Sequence, residues 1–261
     1  MKKNKLLAAV SIIGIGALIL TGCGSIKNQV HSFDDLKGKT IGVQLGTTGD
    51  TLAEDVEDAT VEKYNKYSDA VSSLVDGKID AVIIDRDTAA VFLGENPNVT
   101  LLSESFADET YAIAVSMDNE ALRTEINDAL KLLIHNGTLS GIKENYDGMD
   151  AGTKAYTSPA DTDRSKGKLV MATNAEFPPY EFKDGDNVIG FDIDMMKAVC
   201  DQLGYELKIE DMAFDSIFPA VKSGRADVGV AGISVTPERE KEVLFTDSYV
   251  TTHLVVMVRK D

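Results

Sequence analysis

The chain has 261 residues, 43% of them hydrophobic, and a formal net charge of -17, to which a leader carrying Lys2, Lys3 and Lys5 contributes positively. So acidic a balance argues against nucleic acid and anionic lipid surfaces as partners, and the length suits one large domain or two small ones. His31, His135 and His253 have no metal-ligand spacing and no nucleophile has a neighbouring base, so neither a cofactor nor a metal nor covalent catalysis is expected.

Met1 to Lys5 are basic, Leu6 to Leu20 almost wholly apolar, and Leu20-Thr21-Gly22-Cys23 closes the run with small residues and a thiol. This is the layout of a secretory leader over 1–22, and the Leu-Thr-Gly-Cys end resembles the lipobox of bacterial lipoproteins. Cys23 is then the lipid anchor, 23–31 a tether, and the expected location the outer face of a cell membrane. An uncleaved N-terminal helix is the alternative. Cys200 is left without a disulfide partner and reads as a core residue of a helix over Ile193 to Leu203.

In chain order, Lys39 to Val43 predicts a strand, Gly46 to Gly49 a turn, and Asp50 a cap for a helix from Thr51. Val61 to Tyr67 predicts a strand, Ser68 to Asp76 a helix, Ala81 to Ile84 a strand, Asp85 to Leu93 a helix and Val99 to Leu102 an extended segment. This alternation suggests an α/β lobe ending near Asp108. A strand over Tyr111 to Ser116 and helices over Asn119 to Asn136 and Gly137 to Tyr146 follow. Asp147 to Gly167 lacks periodicity and reads as a linker. Lys168 to Thr173 opens a second α/β series that ends with a strand over Leu254 to Arg259.

The two series share elements. Residues 74–85 recur in outline at 221–232: a helix end, a glycine suited to positive φ (Gly77, Gly224), a basic residue, an aspartate and an apolar strand. Lys39 to Gln44 likewise resembles Lys168 to Asn174. Two lobes of similar build imply a cleft at the strand ends, where open α/β sheets bind ligands.

Candidate binding residues lie at those ends. Phe177, held by two prolines, can stack on a ligand, although it equally reads as a core aromatic. Gly232 permits close backbone approach, Ser234 offers a hydroxyl, and Arg239 has the planar fork that suits a carboxylate; alone, Arg239 reads as a solvated surface residue. In the first half, Thr47 and Thr48 offer hydroxyl and N–H groups beside a helix start, and Asp85 could bind a cation or cap the next helix. A carboxylate clamp in one lobe and a counterion for an ammonium group in the other describe the backbone of an amino acid.

The chain resembles the family 3 extracellular solute-binding proteins that deliver polar amino acids to ABC importers. The resemblance rests on Ala172-Thr-Asn-Ala-Glu-Phe-Pro-Pro-Tyr-Glu-Phe182, Gly190-Phe-Asp-Ile-Asp194, Gly232-Ile-Ser-Val-Thr-Pro-Glu-Arg239, Phe245-Thr-Asp-Ser-Tyr249, Leu36-Lys-Gly-Lys-Thr-Ile-Gly-Val43, Gly46-Thr-Thr48 and Asp80-Ala-Val-Ile-Ile-Asp85. It implies a two-lobed α/β fold of the type II periplasmic-binding-protein kind, closing at a hinge. It also implies aromatic flanks at Phe177 and Phe214, hydrogen bonds from Gly232 and Ser234, a carboxylate bond to Arg239, closure by Gln44, Thr47 and Thr48, and an ammonium bond to Asp85. Asn174, Glu176 and Gln44 fall near positions that read the ligand side chain, which suggests a polar or cationic amino acid. The implied partners are that amino acid, a permease and, through the anchor, the membrane; a monomer is expected.

The Phe-Pro-Pro-Tyr half ordinarily comes first in this family and here comes last, so the chain looks circularly permuted. The expectation is two contiguous lobes, 32–108 and 109–261, with one covalent crossing and with 147–167 joining the family's usual termini. Two rival readings share the fold: a cyclic-acid dehydratase, for which Glu176 is the candidate acid, and a ligand sensor.

Overall fold

In a computed structural model of the protein, residues 27–147 and 153–261 are described. The leader, Cys23 and the start of the linker lie outside them. Among the described residues no helix is long and apolar enough to cross a membrane.

The first half of the chain alternates as expected: β1 (Thr40–Gln44), α1 (Thr48–Glu54), β2 (Thr60–Tyr64), α2 (Tyr67–Val75), β3 (Ala81–Asp85), α3 (Arg86–Glu95), β4 (Val99–Leu101) and β5 (Ala107–Tyr111). Next come β6 (Ala114–Ser116), α4 (Glu120–His135) and α5 (Thr138–Glu144). The second half supplies β7 (Lys168–Thr173), the ribbon β8 (Glu176–Phe177), β9 (Glu181–Asp184) and β10 (Asn187–Ile189), then α6 (Phe191–Leu203) and β11 (Glu206–Asp211). It finishes with α7 (Ile217–Lys222), β12 (Val228–Gly229), β13 (Val243–Phe245) and β14 (Val250–Arg259).

Two mixed sheets result. One has the order β2-β1-β3-β14-β4, with β5 also paired to β14; the other has the order β11-β7-β12-β6-β13. The repeat recognised in the sequence is reproduced atom for atom. Gly77 and Gly224 end their helices at φ 72° and 71°. Asp80 and Asp227 each donate a backbone N–H to the neighbouring parallel strand, to the Thr40 and Val170 carbonyls, both at 2.8 Å. The same aspartates accept the Thr40 and Val170 N–H groups through their side chains, at 3.0 and 2.7 Å. Each aspartate thus fixes the register of a strand that runs toward the cleft.

Sheet membership corrects the expected division of the chain. β14, placed by the sequence in the second lobe, runs antiparallel to β3 and β4 inside the first sheet. The chain therefore crosses between sheets twice, at residues 111–114 and 245–250, and the second sheet's unit is about 112–249 rather than 109–261. The physical reason lies in hydrogen bonding. Eight of the ten β14 residues are buried, so both strand edges need partners, and the slot between β3 and β4 supplies them. Arg259 secures its end by donating to the carbonyls of Leu74, at 2.9 Å, and Ile79. The expected strand over Tyr111 to Ser116 is likewise two short strands, β5 and β6, broken at the first crossing.

Residues 153–167 form neither helix nor strand, yet they are tied to α6. Asp194 accepts the Tyr156 N–H at 2.7 Å, and Arg164 meets the carboxylate of Asp201 at 2.6 Å. Cys200 is buried in α6 as expected, and burial pushes its thiol up to about 12.

Candidate functional site

The ends of β1 and β3 and the start of α1 bring Gln44, Thr47, Thr48 and Asp85 to one cavity between the sheets. Phe177, Phe214, Gly232, Ser234 and Arg239 line its other side, together with Ala231 and Glu109. Nine residues singled out by the sequence, far apart in the chain, thus converge.

Local structure explains each position. Thr47 is the N-cap of α1: its hydroxyl accepts the Asp50 N–H at 3.2 Å and donates to the Gln44 carbonyl at 2.8 Å. The expected cap at Asp50 is therefore corrected. Asp50 lies in the first turn, where its carboxylate accepts the Gly46 N–H at 2.9 Å and meets Lys63 at 3.0 Å. Asp85 occupies the N-cap position of α3 but makes no side-chain cap bond; it accepts the Tyr111 hydroxyl instead. Of its two sequence readings, the capping one fails and the carboxylate faces the cavity. Burial, and then the nearby carboxyl of Glu109, raise the Asp85 pKa well above the ordinary carboxylate range.

Arg239 is half-buried. It donates to the Ser234 carbonyl at 2.8 Å and, across the sheets, to the Gly46 carbonyl at 3.1 Å. Its guanidinium lies over the rings of Phe214 and Phe218, 5.7 and 5.3 Å from their centroids. Desolvation lowers its pKa, while Glu109 and Asp85 oppose that shift. A guanidinium stays charged in such a setting.

Phe177 satisfies both of its readings. It packs in the main core, stacked on Tyr180 at 5.4 Å, and also forms the cavity wall. Gly232 adopts φ +53°, and a Cβ there would lie 2.5 Å from the Phe177 ring. The close approach expected of this glycine is therefore to the aromatic wall. Asn174 stands behind the cavity, accepting from Gln44 at 2.8 Å and donating to the Met212 carbonyl at 2.8 Å. Glu176 is not brought to the cavity. It pairs with Lys66 at 2.6 Å beside a separate open groove, which removes it as the acid of a reaction in the cleft.

Sequence reasoning missed Glu109, which accepts the Ser234 hydroxyl at 2.8 Å and the Thr48 hydroxyl, so one carboxylate bridges the two sheets. The boundary drawn at Asp108 stopped one residue short of it. A polar residue just before the chain crosses between lobes was the available signal.

Beneath the cavity lies a second carboxyl pair. Asp192 accepts the Gly232 N–H at 3.0 Å and the Tyr249 hydroxyl at 2.8 Å. Burial raises its pKa to about 6, and raises that of Glu181 beside it well above the usual range.

Residues 169–261 match the family of bacterial extracellular solute-binding proteins, family 3. Over that segment the chain is similar to family 3. The matched segment includes Phe177, Phe214, Gly232, Ser234 and Arg239, whereas Gln44, Thr47, Thr48, Asp85 and Glu109 come from outside it. The chain is similar to the arginine-binding extracellular protein ArtP of Bacillus subtilis (strain 168), 39% identical over 109 residues that cover 42% of this chain and 43% of that protein. It is also similar to the L-cystine-binding protein TcyJ of Escherichia coli (strain K12), 35% identical over 153 residues that cover 57% and 56%. The chain thus spans about half the length of these relatives. Among solved structures, the arginine-bound form of domain 1 from TmArgBP is 39% identical, with a TM-score of 0.32, over 37% of this chain and 82% of that one.

Proposed function

We propose that this protein is an exported, lipid-anchored binding protein that captures one polar or cationic amino acid between its two sheets and presents it to an ABC importer. The observation that carries this reading is the convergence of Arg239, Ser234 and Gly232 from one side and Thr47, Thr48, Gln44 and Asp85 from the other on a single cavity. Arg239 takes the ligand carboxylate through its fork, Asp85 takes the ammonium, and Phe177 and Phe214 flank the side chain. Because the ligand touches both sides, binding favours the closed arrangement, with the crossings at 111–114 and 245–250 as hinges. The named binding specificities of the relatives support an amino acid, and the lipobox-like end at Cys23 supports an anchored, outward-facing location. The reading is of a binding protein, not an enzyme.

Circular permutation belongs to the same proposal. His31 lies 4.0 Å from Asp261, so a bond joining these ends and a cut in 147–167 would restore the family's usual order. The family match over 93 residues at one end accords with this. A sequence rewritten as 168–261 followed by 32–146 should then match the family end to end; a match still confined to its first part would count against permutation.

The function is tested by a thermal-shift screen of residues 24–261 against the common amino acids and cystine, after unfolding and refolding to strip carried-over ligand. Stabilisation by one or a few polar or cationic amino acids is expected, because a ligand that binds only the folded protein must raise its melting temperature. A folded sample that responds to none of them would overturn the reading.

A further inference from the structure

Asp85 stands where a helix cap belongs and does not cap. It occupies the N-cap position of α3 with extended backbone, φ -66° and ψ 143°, and aspartate is among the best capping residues, yet its side chain makes no bond to the helix. Its carboxylate accepts the Tyr111 hydroxyl and faces the cavity instead. Tyr111 is the last residue of β5, but its ring packs against the second sheet's unit. It meets Tyr180 edge-on with centroids 5.2 Å apart, and Phe177 at 6.3 Å. A Cβ at Gly232 would lie 3.3 Å from the same ring. The Tyr111 carbonyl accepts the Tyr249 N–H at 2.9 Å, and its backbone forms a β-bridge with Ser234. One side chain, rooted where the chain crosses between sheets, thus reaches from the aromatic wall of the second unit to a carboxylate of the first.

We infer that Tyr111 is a positioning residue for the ligand ammonium: its hydroxyl holds the Asp85 carboxylate toward the cavity, away from the start of α3, while the two sheet units are together. This deepens the amino-acid reading above and rests on it. Two sets of donors compete for Asp85. The N–H groups of Asp87 and Thr88, in the first turn of α3, are always within reach, because a cap is local. The Tyr111 hydroxyl instead follows a ring held by Phe177 and Tyr180 of the other unit. Rotation at the crossings that draws those rings away from β3 takes the hydroxyl with them, and Asp85 then turns to its helix. The ammonium site is therefore assembled by closure, and the ring contacts contribute to ligand affinity without touching the ligand.

The experiment pairs isothermal titration calorimetry of the refolded protein with a crystal structure of Tyr111→Phe, which keeps the ring and removes the hydroxyl. L-arginine and L-glutamine are the probes. Tyr111→Phe should bind whichever probe the wild-type protein binds about tenfold more weakly, the loss of one hydrogen bond to a charged group. Added to Asp85→Asn, it should cost little more, because Tyr111 acts through Asp85. The crystal structure should show Asp85 bonded to the N–H of Asp87 or Thr88. Affinity within about twofold of wild type, full additivity with Asp85→Asn, or an Asp85 carboxylate still facing the cavity would overturn the inference and leave amino-acid capture intact. If Asp85→Asn binds neither probe measurably, the crystal structure decides. If Tyr111→Phe does not fold, Tyr180→Leu, which frees the ring and keeps the hydroxyl, takes its place with the same expectations. If neither these probes nor any other amino acid binds the wild-type protein, the functional reading falls and this inference with it.

Discussion

Two buried carboxyl pairs lie close together in this molecule, and they contrast in what surrounds them. Asp85 and Glu109 open onto a cavity with Arg239 and the hydroxyls of Thr48 and Ser234. Glu181 and Asp192 are fully enclosed, and among the described residues both Glu181 oxygens and one Asp192 oxygen have no hydrogen-bond donor. Burial, and then the nearby Asp192, raise the Glu181 pKa well above the usual carboxylate range, which favours a protonated carboxyl that can donate. The same chemical motif thus has two uses. At the cavity the carboxyls meet hydroxyl donors and open space, whereas beneath it they are closed off from solvent. Asp192 also shapes the cavity wall by accepting the Gly232 N–H and the Tyr249 hydroxyl, which ties the loop after β12 to the second crossing.

The contrast can be broken most severely from the enclosed side. Asp192→Ala leaves two buried donors unpartnered and opens a void, and should cost about 4 kcal/mol of folding stability, measured by urea denaturation. A loss under about 1 kcal/mol would mean the strut is dispensable. Next in size, Arg239→Ala should weaken binding of the amino acid found in the screen by about 3 kcal/mol, a little over 100-fold in Kd, with a much smaller effect on stability. Binding within a few-fold of wild type by calorimetry would remove Arg239 from the carboxylate site.

The smallest effect sharpens the comparison through pH. The folded pKa values of Glu181 and Asp192 are raised, so the folded chain binds more protons than the unfolded one. Their stabilising contribution is complete below the ordinary carboxylate range and is lost as pH rises through the Asp192 value of about 6. Glu181→Gln supplies a permanent donor to Asp192 and should flatten this loss. Its melting temperature, relative to wild type, should therefore rise between about pH 5 and pH 7.5. An equal offset at both pH values would show that the enclosed pair holds no extra proton.

Much of this was legible in the chain itself. The paired motifs at 74–85 and 221–232 announced two similar sheets, because a helix end, a positive-φ glycine and an apolar strand are local features set by local sequence. The cavity-lining residues were legible for a related reason: many sit where strands end, and strand ends are marked by a change from apolar to polar residues. Asn174 and Glu176 share such a loop with Phe177, yet one stands behind the cavity and the other faces a different groove, since direction within a loop is set by its tertiary contacts.

The sequence by itself determined the two-sheet α/β class, the element order of the first half and most of the residues that gather at the cleft. Only the tertiary structure decided that β14 belongs to the first sheet, because an apolar strand does not name its neighbours and both its edges were satisfied only between β3 and β4. It also decided that Asp85 faces the cavity rather than capping α3, and that Glu109 stands beside it. Those outcomes depend on which carboxyl meets which donor across the fold, and no spacing along the chain encodes that.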